Sequence, residues 1–219
     1  TFTGHEGNVE GALALANGRL LSWSDTTLRL WDVSGAALAE IKGHTSSVSG
    51  MLSLAGTRLM SLSRLRDHDT VRLWSADGVP LAVLETDGKR NVWHVLADGR
   101  LLSWSYDATI RLWSAEGAPL AVLEGHTRAV NLAMAKEDVR FLVWSYDATI
   151  RLWSADGEPL AVLEGHTTGV NGALALADGR LLSWSDDRTL RLWSADGAPL
   201  AVLKGHRDSV NGALTLSDG

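Results

Sequence analysis

Serine, histidine and aspartate recur together along this 219-residue chain, in the combination that hydrolases use for nucleophilic catalysis. The set returns about every 40 residues, and a tryptophan follows it within the same unit. Neither a GxSxG elbow nor an HExxH motif is present. Histidines that far apart fall in different repeats, which also argues against a shared metal site. The pattern therefore predicts an architectural device, and we expect no catalytic residue, metal or cofactor.

The repeat is clearest at Leu181–Gly205, which reads LLSWSDDRTLRLWSADGAPLAVLKG. Asp-Gly between two apolar runs predicts a hairpin, because glycine supplies the positive φ that such turns need. A run of small residues precedes this stretch and predicts one more strand. Each unit thus contains four strands, which we name a to d in chain order. In the last full unit they are Val170–Leu176, Leu181–Ser185, Thr189–Trp193 and Pro199–Leu203.

A period near 40 residues with four strands per unit predicts an all-β protein, a β-propeller of four-stranded antiparallel blades. The small residues of strand a suit close approach of neighbouring sheets, and the proline that opens strand d suits a sheet edge. We expect a single domain over 1–219 with five complete blades, an N-terminal strand remnant and an extra C-terminal strand. The blades are predicted at 8–42, 47–85, 90–124, 129–164 and 169–204, with a partial blade at 208–219.

Composition narrows the classes of partner. The net charge is -6 and no basic stripe occurs, so we expect no nucleic acid partner. The sequence has no run of about 18 apolar residues, so we predict no membrane span. The chain contains no cysteine, which excludes internal disulfides and fits a reducing compartment such as the cytoplasm. No signal peptide is visible in this segment.

The unit resembles the WD-repeat family of β-propellers. The features shared with that family are a Gly-His pair, S-x-S-x-D about 20 residues later, and a strand c that ends in tryptophan. The usual Trp-Asp dipeptide appears once, at Trp31-Asp32, and elsewhere the sequence has Trp-Ser. Residues 102–131 and 142–171 match at 25 of 30 positions, which is similar to the highly repetitive bacterial propellers of this family.

The resemblance implies a buried hydrogen-bond network in each blade that links the Gly-His histidine, a strand-b serine, the b–c turn aspartate and the strand-c tryptophan. The residues assigned in this way are His5, Asp25 and Trp31; His44, Ser61 and Trp74; Ser103, Asp107 and Trp113; His126, Asp147 and Trp153; His166, Ser183, Asp187 and Trp193; and His206 of the partial blade.

The fifth blade alone carries the complete set. Val143 replaces the serine of the fourth blade, and Asp87 stands where the third blade should have its histidine. The first blade has a b–c hairpin one residue short, which leaves Ser22 as a further candidate member. The second blade has a longer b–c loop, and the sequence leaves open whether Asp67 or Asp69 belongs to its network. Since partly satisfied polar networks cost stability, we expect the second and third blades to be the least stable.

One arginine also recurs in strand c of every blade. We expect these side chains to form solvated ion pairs with strand-d glutamates such as Glu124 or Glu164, each pair contributing little stability. The five are Arg29, Arg72, Arg111, Arg151 and Arg191.

The resemblance places partner binding on the face formed by the d–a and b–c loops. The residue before the turn aspartate varies between blades, and so do the d–a loops. Tyrosine at such positions suits a binding hot spot. The candidate residues are Tyr106, Tyr146, Asp186, Arg128, Thr168 and Arg207.

We therefore expect a non-enzymatic scaffold for a protein or peptide partner, within a larger bacterial multidomain or repeat protein. Two alternatives remain open. The chain could be a multivalent binder of small, sugar-like ligands, or a self-assembling repeat fragment. A sixth blade would need strands b and c, so we expect either a longer repeat array or a second copy that completes the ring. A five-bladed ring with a spare strand is the other possibility.

Overall fold

Every predicted blade corresponds to one antiparallel sheet in the computed structural model of this protein. The structure describes residues 3–54, 58–64, 69–85, 91–105, 107–135 and 141–215, and these form twenty strands in five four-stranded sheets. Within each sheet the strands lie in chain order. The all-β fold and its four-stranded blades are thereby confirmed. Among the described residues, no helix has the length and apolar character needed to cross a membrane.

The strand boundaries follow the repeat. The first sheet consists of β1 (Gly11–Ala14), β2 (Leu20–Ser24), β3 (Thr27–Trp31) and β4 (Ala37–Lys42). The second consists of β5 (Val48–Leu54), β6 (Arg58–Arg64), β7 (Asp69–Ser75) and β8 (Pro80–Glu85). The third consists of β9 (Val92–Val95), β10 (Leu101–Trp104), β11 (Ile110–Trp113) and β12 (Pro119–Leu123).

The last two sheets repeat the same plan. The fourth consists of β13 (Val130–Ala135), β14 (Phe141–Ser145), β15 (Ile150–Trp153) and β16 (Pro159–Leu163). The fifth consists of β17 (Val170–Ala175), β18 (Leu181–Ser185), β19 (Leu190–Trp193) and β20 (Pro199–Leu203). The chain divides into two compact units, one of residues 1–101 and 113–118 and one of residues 102–112 and 119–219.

The sequence explains why strands form and end where they do. In PLAVL of β16, Leu160 and Val162 face solvent while Leu163 is buried, the period-2 alternation of a half-buried strand. The turn into β20 places Gly197 at a φ of 90°, where a Cβ would be strained. Ser194 closes this turn, since its carbonyl accepts the amide of Gly197 at 3.0 Å and its hydroxyl accepts the amide of Ala198 at 3.0 Å.

The small residues of strand a have a specific packing role. Gly172 in β17 lies opposite Trp184 in β18, and a Cβ built on Gly172 would come within 2.1 Å of the indole ring. Gly11 and Trp23 repeat this arrangement in the first sheet, at the same 2.1 Å. The glycine is therefore required because the tryptophan of the neighbouring strand lies flat across it.

Each hydrophobic core lies between two consecutive sheets. In the second unit, Leu142, Trp144, Ile150, Leu152 and Leu163 of the fourth sheet pack against the fifth. The residues of the fifth sheet in this cluster are Val170, Ala173, Leu181 and Trp193. In the first unit the first sheet packs against Val48, Leu59 and Trp74 of the second sheet in the same way. One face of a sheet thus covers the opposite face of the sheet before it.

The expected extra C-terminal strand does not form within residues 208–215, because no neighbouring strand pairs with this segment. Val210 alone is buried there, and its amide donates to the carbonyl of Ser185 at 3.1 Å. The side-chain amide of Asn171 donates to the carbonyl of Val210 at 3.1 Å. The segment is therefore attached to the fifth sheet at one point.

Candidate functional site

The fifth blade brings its four predicted network residues into one chain of hydrogen bonds. The indole Nε1 of Trp193 donates to Oγ of Ser183 at 2.9 Å, and this Oγ lies 2.8 Å from Nε2 of His166. On its other side, Nδ1 of His166 lies 2.8 Å from Oδ2 of Asp187. The same carboxylate accepts the backbone amide of Thr167 at 3.0 Å, which ties the d–a loop to the b–c turn.

The donors and acceptors fix the protonation of this network. Because an ionised carboxylate can only accept, Nδ1 carries the proton of the neutral imidazole and donates it to Asp187. Nε2 then accepts the proton of the serine hydroxyl, whose oxygen accepts the indole N–H. Burial lowers the pKa of His166, although Asp187 opposes the shift, so the imidazole is neutral near pH 7. Burial alone would raise the pKa of Asp187, but hydrogen bonds from Thr189, His166 and Thr167 outweigh it and hold this pKa at about 2.

These groups cannot act as a hydrolase triad. Ser183 is fully buried, and its oxygen already accepts the indole proton of Trp193. A nucleophile needs a substrate atom within contact distance, and no substrate can reach this hydroxyl through the packed sheets. The geometry therefore supports a structural role for the recurring Ser-His-Asp set.

The fourth blade keeps half of the network. Nδ1 of His126 lies 2.9 Å from Oδ2 of Asp147, as in the fifth blade. Val143 occupies the place of the serine, so Nε2 of His126 and Nε1 of Trp153 are buried without a hydrogen-bond partner. Burial lowers the pKa of His126 and the Asp147 carboxylate opposes the shift, with smaller effects from Arg151 and the backbone of Val143.

The second blade builds its network with a different acceptor. Nε2 of His44 lies 2.6 Å from Oγ of Ser61, which accepts the indole of Trp74 at 2.8 Å. Nδ1 of His44 lies 2.9 Å from Oγ of Ser63, where the fourth and fifth blades use an aspartate. Asp69 is buried and accepts the amide of Asn91 at 2.7 Å instead. Asp67, the other candidate left open by the sequence, lies outside the described residues.

The lack of a carboxylate partner changes the titration of this histidine. Burial, with the charge of Arg72 adding to it, lowers the pKa of His44 to about 4. Ser63 was not predicted as a network member. The signal that could have identified it is its position two residues after Ser61 on the buried face of a strand.

The first blade brings three of its four candidates together. His5 Nε2 lies 2.7 Å from Oγ of Ser22, which accepts the indole of Trp31 at 2.8 Å. The short b–c hairpin places Asp25 itself at the left-handed position of the turn, with a φ of 49°. In the fourth blade the residue after the aspartate, Ala148, takes that position at 69°. The carboxylate of Asp25 therefore does not reach His5, whose Nδ1 is buried without a partner.

The third blade is described in part. Ser103 and Trp113 are buried as predicted network members should be, and the ring of Trp113 lies 5.8 Å from that of Trp93. Asp107 accepts the amide and the hydroxyl of Thr109 at 2.9 and 2.6 Å. Asp87, which replaces the histidine, lies outside the described residues.

The glycine of the Gly-His pair lies beneath the strand-c arginine. Gly165 has a φ of 151°, and a Cβ there would come within 2.4 Å of a guanidinium nitrogen of Arg191. Gly125 and Arg151 repeat the arrangement, at 2.6 Å. Within the described part of the chain neither of these two arginines forms an ion pair, whereas Arg29 meets Glu40 at 3.3 Å. The expected pairing with a strand-d glutamate occurs in the first blade, where Glu40 lies opposite Arg29. In the fourth and fifth blades the residues opposite the strand-c arginines are Val162 and Val202, which cannot form an ion pair.

Three of the predicted partner-binding residues line one surface depression in the second unit. Arg128, Tyr146 and Thr168 meet there around a space of about 400 Å³, and all three are exposed. Tyr146 belongs to the b–c turn of the fourth blade, and the other two belong to the d–a loops before and after that turn. We call this the Tyr146 depression; its remaining lining residues are Thr127, Asp147, Ala148, Thr167 and Gly169.

The buried network holds the walls of this depression. Asp147, fixed by His126, accepts the amide of Thr127 at 2.9 Å. The hydroxyl of Ser145 donates to the carbonyls of Arg128 and Ala129 at 3.0 and 2.9 Å. The loop and the turn are therefore ordered before any partner arrives, which reduces the entropic cost of binding.

A glycine makes room for the tyrosine ring. A Cβ built on Gly169 would come within 2.9 Å of Cδ1 of Tyr146, so the ring packs directly on the loop backbone. The side chain nevertheless remains 43% exposed. Tyr146 thus presents a ring of restricted motion to solvent, the property that makes tyrosine effective in binding sites.

The remaining candidate residues do not join the depression. Asp186 takes the position of Tyr146 in the fifth blade, where it accepts the side-chain amide of Asn171 at 2.7 Å. Arg207 and His206 are exposed, and within the described residues His206 makes no network contact. Tyr106 lies outside the described residues.

Comparison with known families identifies the repeat. Residues 157–194 match the family model described as WD domain, G-beta repeat, from the end of the fourth blade to strand c of the fifth. No curated protein matches the chain in sequence. The matched repeat and the five sheets built on the same unit are consistent with a WD-repeat protein that has propeller-type blades. Proteins of this class generally serve as scaffolds for protein interactions.

Proposed function

We propose that this protein is a non-enzymatic scaffold that binds a protein or peptide segment in the Tyr146 depression. The observation that carries the proposal is the exposed, backbone-packed ring of Tyr146 between two loops that the buried network holds in place. The ring of Tyr146 favours a segment with an apolar or aromatic anchor, and Arg128 at the rim favours an acidic residue beside that anchor.

The sequence differences between blades favour one asymmetric site over a repeated small-ligand pocket. Asp186 replaces the tyrosine in the fifth blade and is held by Asn171, so the surface there differs in shape and charge. A multivalent sugar binder would need equivalent sites on successive blades. The fourth and fifth blades do not present equivalent sites at this position.

The partner and the compartment are inferred from composition. A net charge of -6 without a basic stripe supports a protein partner over nucleic acid. The absence of cysteine from the sequence supports a reducing compartment, the cytoplasm. The near-identical repeats, which resemble those of repetitive bacterial propellers, support a bacterial multidomain or repeat protein.

The test is a display selection of peptides against the wild-type chain, followed by titration calorimetry of the strongest binder. We expect one peptide per chain and a rise in Kd of about 30-fold or more for Tyr146→Ala. Arg128→Ala should weaken binding less and reduce its dependence on salt. Asp186→Ala is the matched control, since it changes the equivalent position of the next blade. Equal binding by Tyr146→Ala, or several sugars bound per chain, would overturn the proposal.

A further inference from the structure

The outer strand of the fourth blade leaves a pair of apolar side chains in solvent. Leu160 and Val162 of β16 are 49% and 43% exposed, although a blade precedes this one in the chain and another follows it. The two residues are two positions apart on a strand, so their side chains lie on one face of the sheet. The second, third and fifth blades repeat the pair at similar exposure, with Leu81 and Val83, Leu120 and Val122, and Leu200 and Val202.

An arginine on the same face of the fourth blade has no carboxylate partner. Arg151 of β15 lies opposite Val162, and its partly exposed side chain extends over Gly125. Glu124 precedes that glycine and Glu164 follows Val162 by two residues, yet Arg151 forms no ion pair within the described part of the chain. A guanidinium without a counter-charge beside exposed apolar groups is suited to bind an acidic side chain that has an apolar neighbour.

The first blade shows which group fits beside this arginine. Glu40 of β4 takes the position that Val162 has in β16, and its Oε1 lies 3.3 Å from Nη2 of Arg29. In both blades the arginine packs over the glycine of the Gly-His pair, so its side chain is held in the same way. The first blade therefore supplies its own carboxylate, and the fourth blade offers the same guanidinium with a valine in place of the acid.

We propose that Arg151, Leu160 and Val162, which we call the β16 surface, bind an extended segment of a partner protein. The segment carries a glutamate or aspartate two residues from an apolar residue, because that spacing places both side chains on one face of a strand. The apolar side chain packs on Leu160 and Val162, and the carboxylate meets Arg151 as Glu40 meets its arginine in the first blade. Within the described sheets β16 pairs with β15 alone, so its outer edge is open to an added strand.

The fifth blade repeats this surface with Arg191, Leu200 and Val202. Its arginine lies over Gly165 and likewise forms no ion pair within the described residues. Both surfaces are built from strands c and d, whereas the Tyr146 depression is built from d–a loops and a b–c turn. A partner can therefore bind the β16 surface whether or not the depression is occupied.

The test is an NMR titration of the whole chain with a synthetic peptide in which valine and glutamate occupy alternate pairs of same-face positions. A second peptide has glutamine in place of each glutamate. We expect peptide-induced shifts of the Leu160 and Val162 amides, and a Kd about tenfold lower for the glutamate peptide. Added salt should weaken the binding of the glutamate peptide more than that of the glutamine peptide, because it screens the contact with Arg151.

Exchanging the valine and the glutamate between blades tests the proposed geometry. Val162→Glu reproduces the first blade, so its own carboxylate should occupy Arg151 and remove the shifts at Leu160, while those at Leu200 in the fifth blade remain. Val162→Thr, which keeps the size of the side chain without adding a charge, is the matched control and should still bind.

Glu40→Val makes the reverse change in the first blade and should produce new peptide-induced shifts at Leu38, which is exposed on β4. Equal affinity for the two peptides, or unchanged shifts at Leu160 in Val162→Glu, would overturn the inference. Tyr146→Ala should leave the shifts at Leu160 in place. A failure at the β16 surface is therefore distinguishable from a failure of the proposed function at the Tyr146 depression.

Discussion

The fourth and fifth blades have similar sequences, and they differ at the centre of the buried network. Ser183 in the fifth blade links His166 to Trp193, whereas Val143 in the fourth leaves His126 and Trp153 without their hydrogen bonds. The aspartate side of the network is the same in both, at 2.8 and 2.9 Å. The comparison teaches that the His-Asp contact, which orders the loops, does not depend on the serine.

The largest effect should come from making the fifth blade resemble the fourth. Ser183→Val would leave two buried polar atoms unpartnered, at about 2 kcal/mol for each group. The fully buried site fits a serine, so the larger side chain is overpacked and returns no packing energy, and the free energy of unfolding should fall by about 4 kcal/mol. Urea unfolding at pH 7 measures this. Ser183→Ala serves as the control for steric crowding, and a loss below 1 kcal/mol in both variants would show that the network contributes little.

The second blade should make stability depend on pH. The pKa of His44 is about 4 in the folded protein and about 6.5 when unfolded, so the unfolded chain binds more protons between these values. The free energy of unfolding should therefore fall as the pH drops from 7 to 4, by about 3 kcal/mol from this residue.

Urea unfolding between pH 7 and pH 4 checks the sign and the size. His44→Asn should reduce the pH dependence, and the lowered pKa values of His126 and His166 account for part of what remains. His206→Asn, at an exposed position, is the control. A pH dependence that is the same in wild type and His44→Asn would contradict the assignment to His44.

The packing of strand a offers a matched pair of glycines. Gly172→Ala would drive a methyl group into the ring of Trp184 and should cost about 2 kcal/mol. Gly212 holds the equivalent position 40 residues later, and a Cβ there meets nothing within 4 Å. Gly212→Ala should therefore change the thermal midpoint little. Similar losses in both variants would mean that backbone conformation, and not the tryptophan, requires the glycine.

The smallest effect is a repair of the fourth blade. Val143→Ser would supply the missing hydroxyl between His126 and Trp153 but would lose the buried surface of the valine side chain. The hydrogen bonds outweigh that loss by about 1 kcal/mol, so the variant should be slightly more stable. Val143→Ala, which loses the same surface without adding a hydroxyl, is the control and should be less stable than wild type.

Sequence reasoning succeeded where a residue type and its spacing determine local structure. The Asp-Gly turns, the alternation of PLAVL and the 40-residue period predicted the strands and their order in each sheet. It also singled out Arg128, Tyr146 and Thr168, which the structure places around one depression. Their meeting depends on two loops from different blades, and spacing alone could not show that distance.

The network shows where spacing was insufficient. Asp25 matches the repeat in sequence, but a hairpin shorter by one residue turns its carboxylate away from His5. The sequence left Asp69 as one of two candidate partners for His44, yet the histidine is hydrogen-bonded to Ser63 and Asp69 accepts the amide of Asn91. The arginines looked like ion-pair partners, and two of them instead pack over the glycines of the Gly-His pairs.

The sequence by itself determined the four-stranded unit, the number of sheets and the residue types of the core, because these follow from local periodicity and from repetition. Only the tertiary structure decided which donor meets which acceptor, which apolar faces are covered and which loops form a depression. Those properties depend on hydrogen-bond directions and on contacts within a few ångströms between segments far apart in the chain. A change of one residue in a turn alters them while leaving the repeat pattern intact.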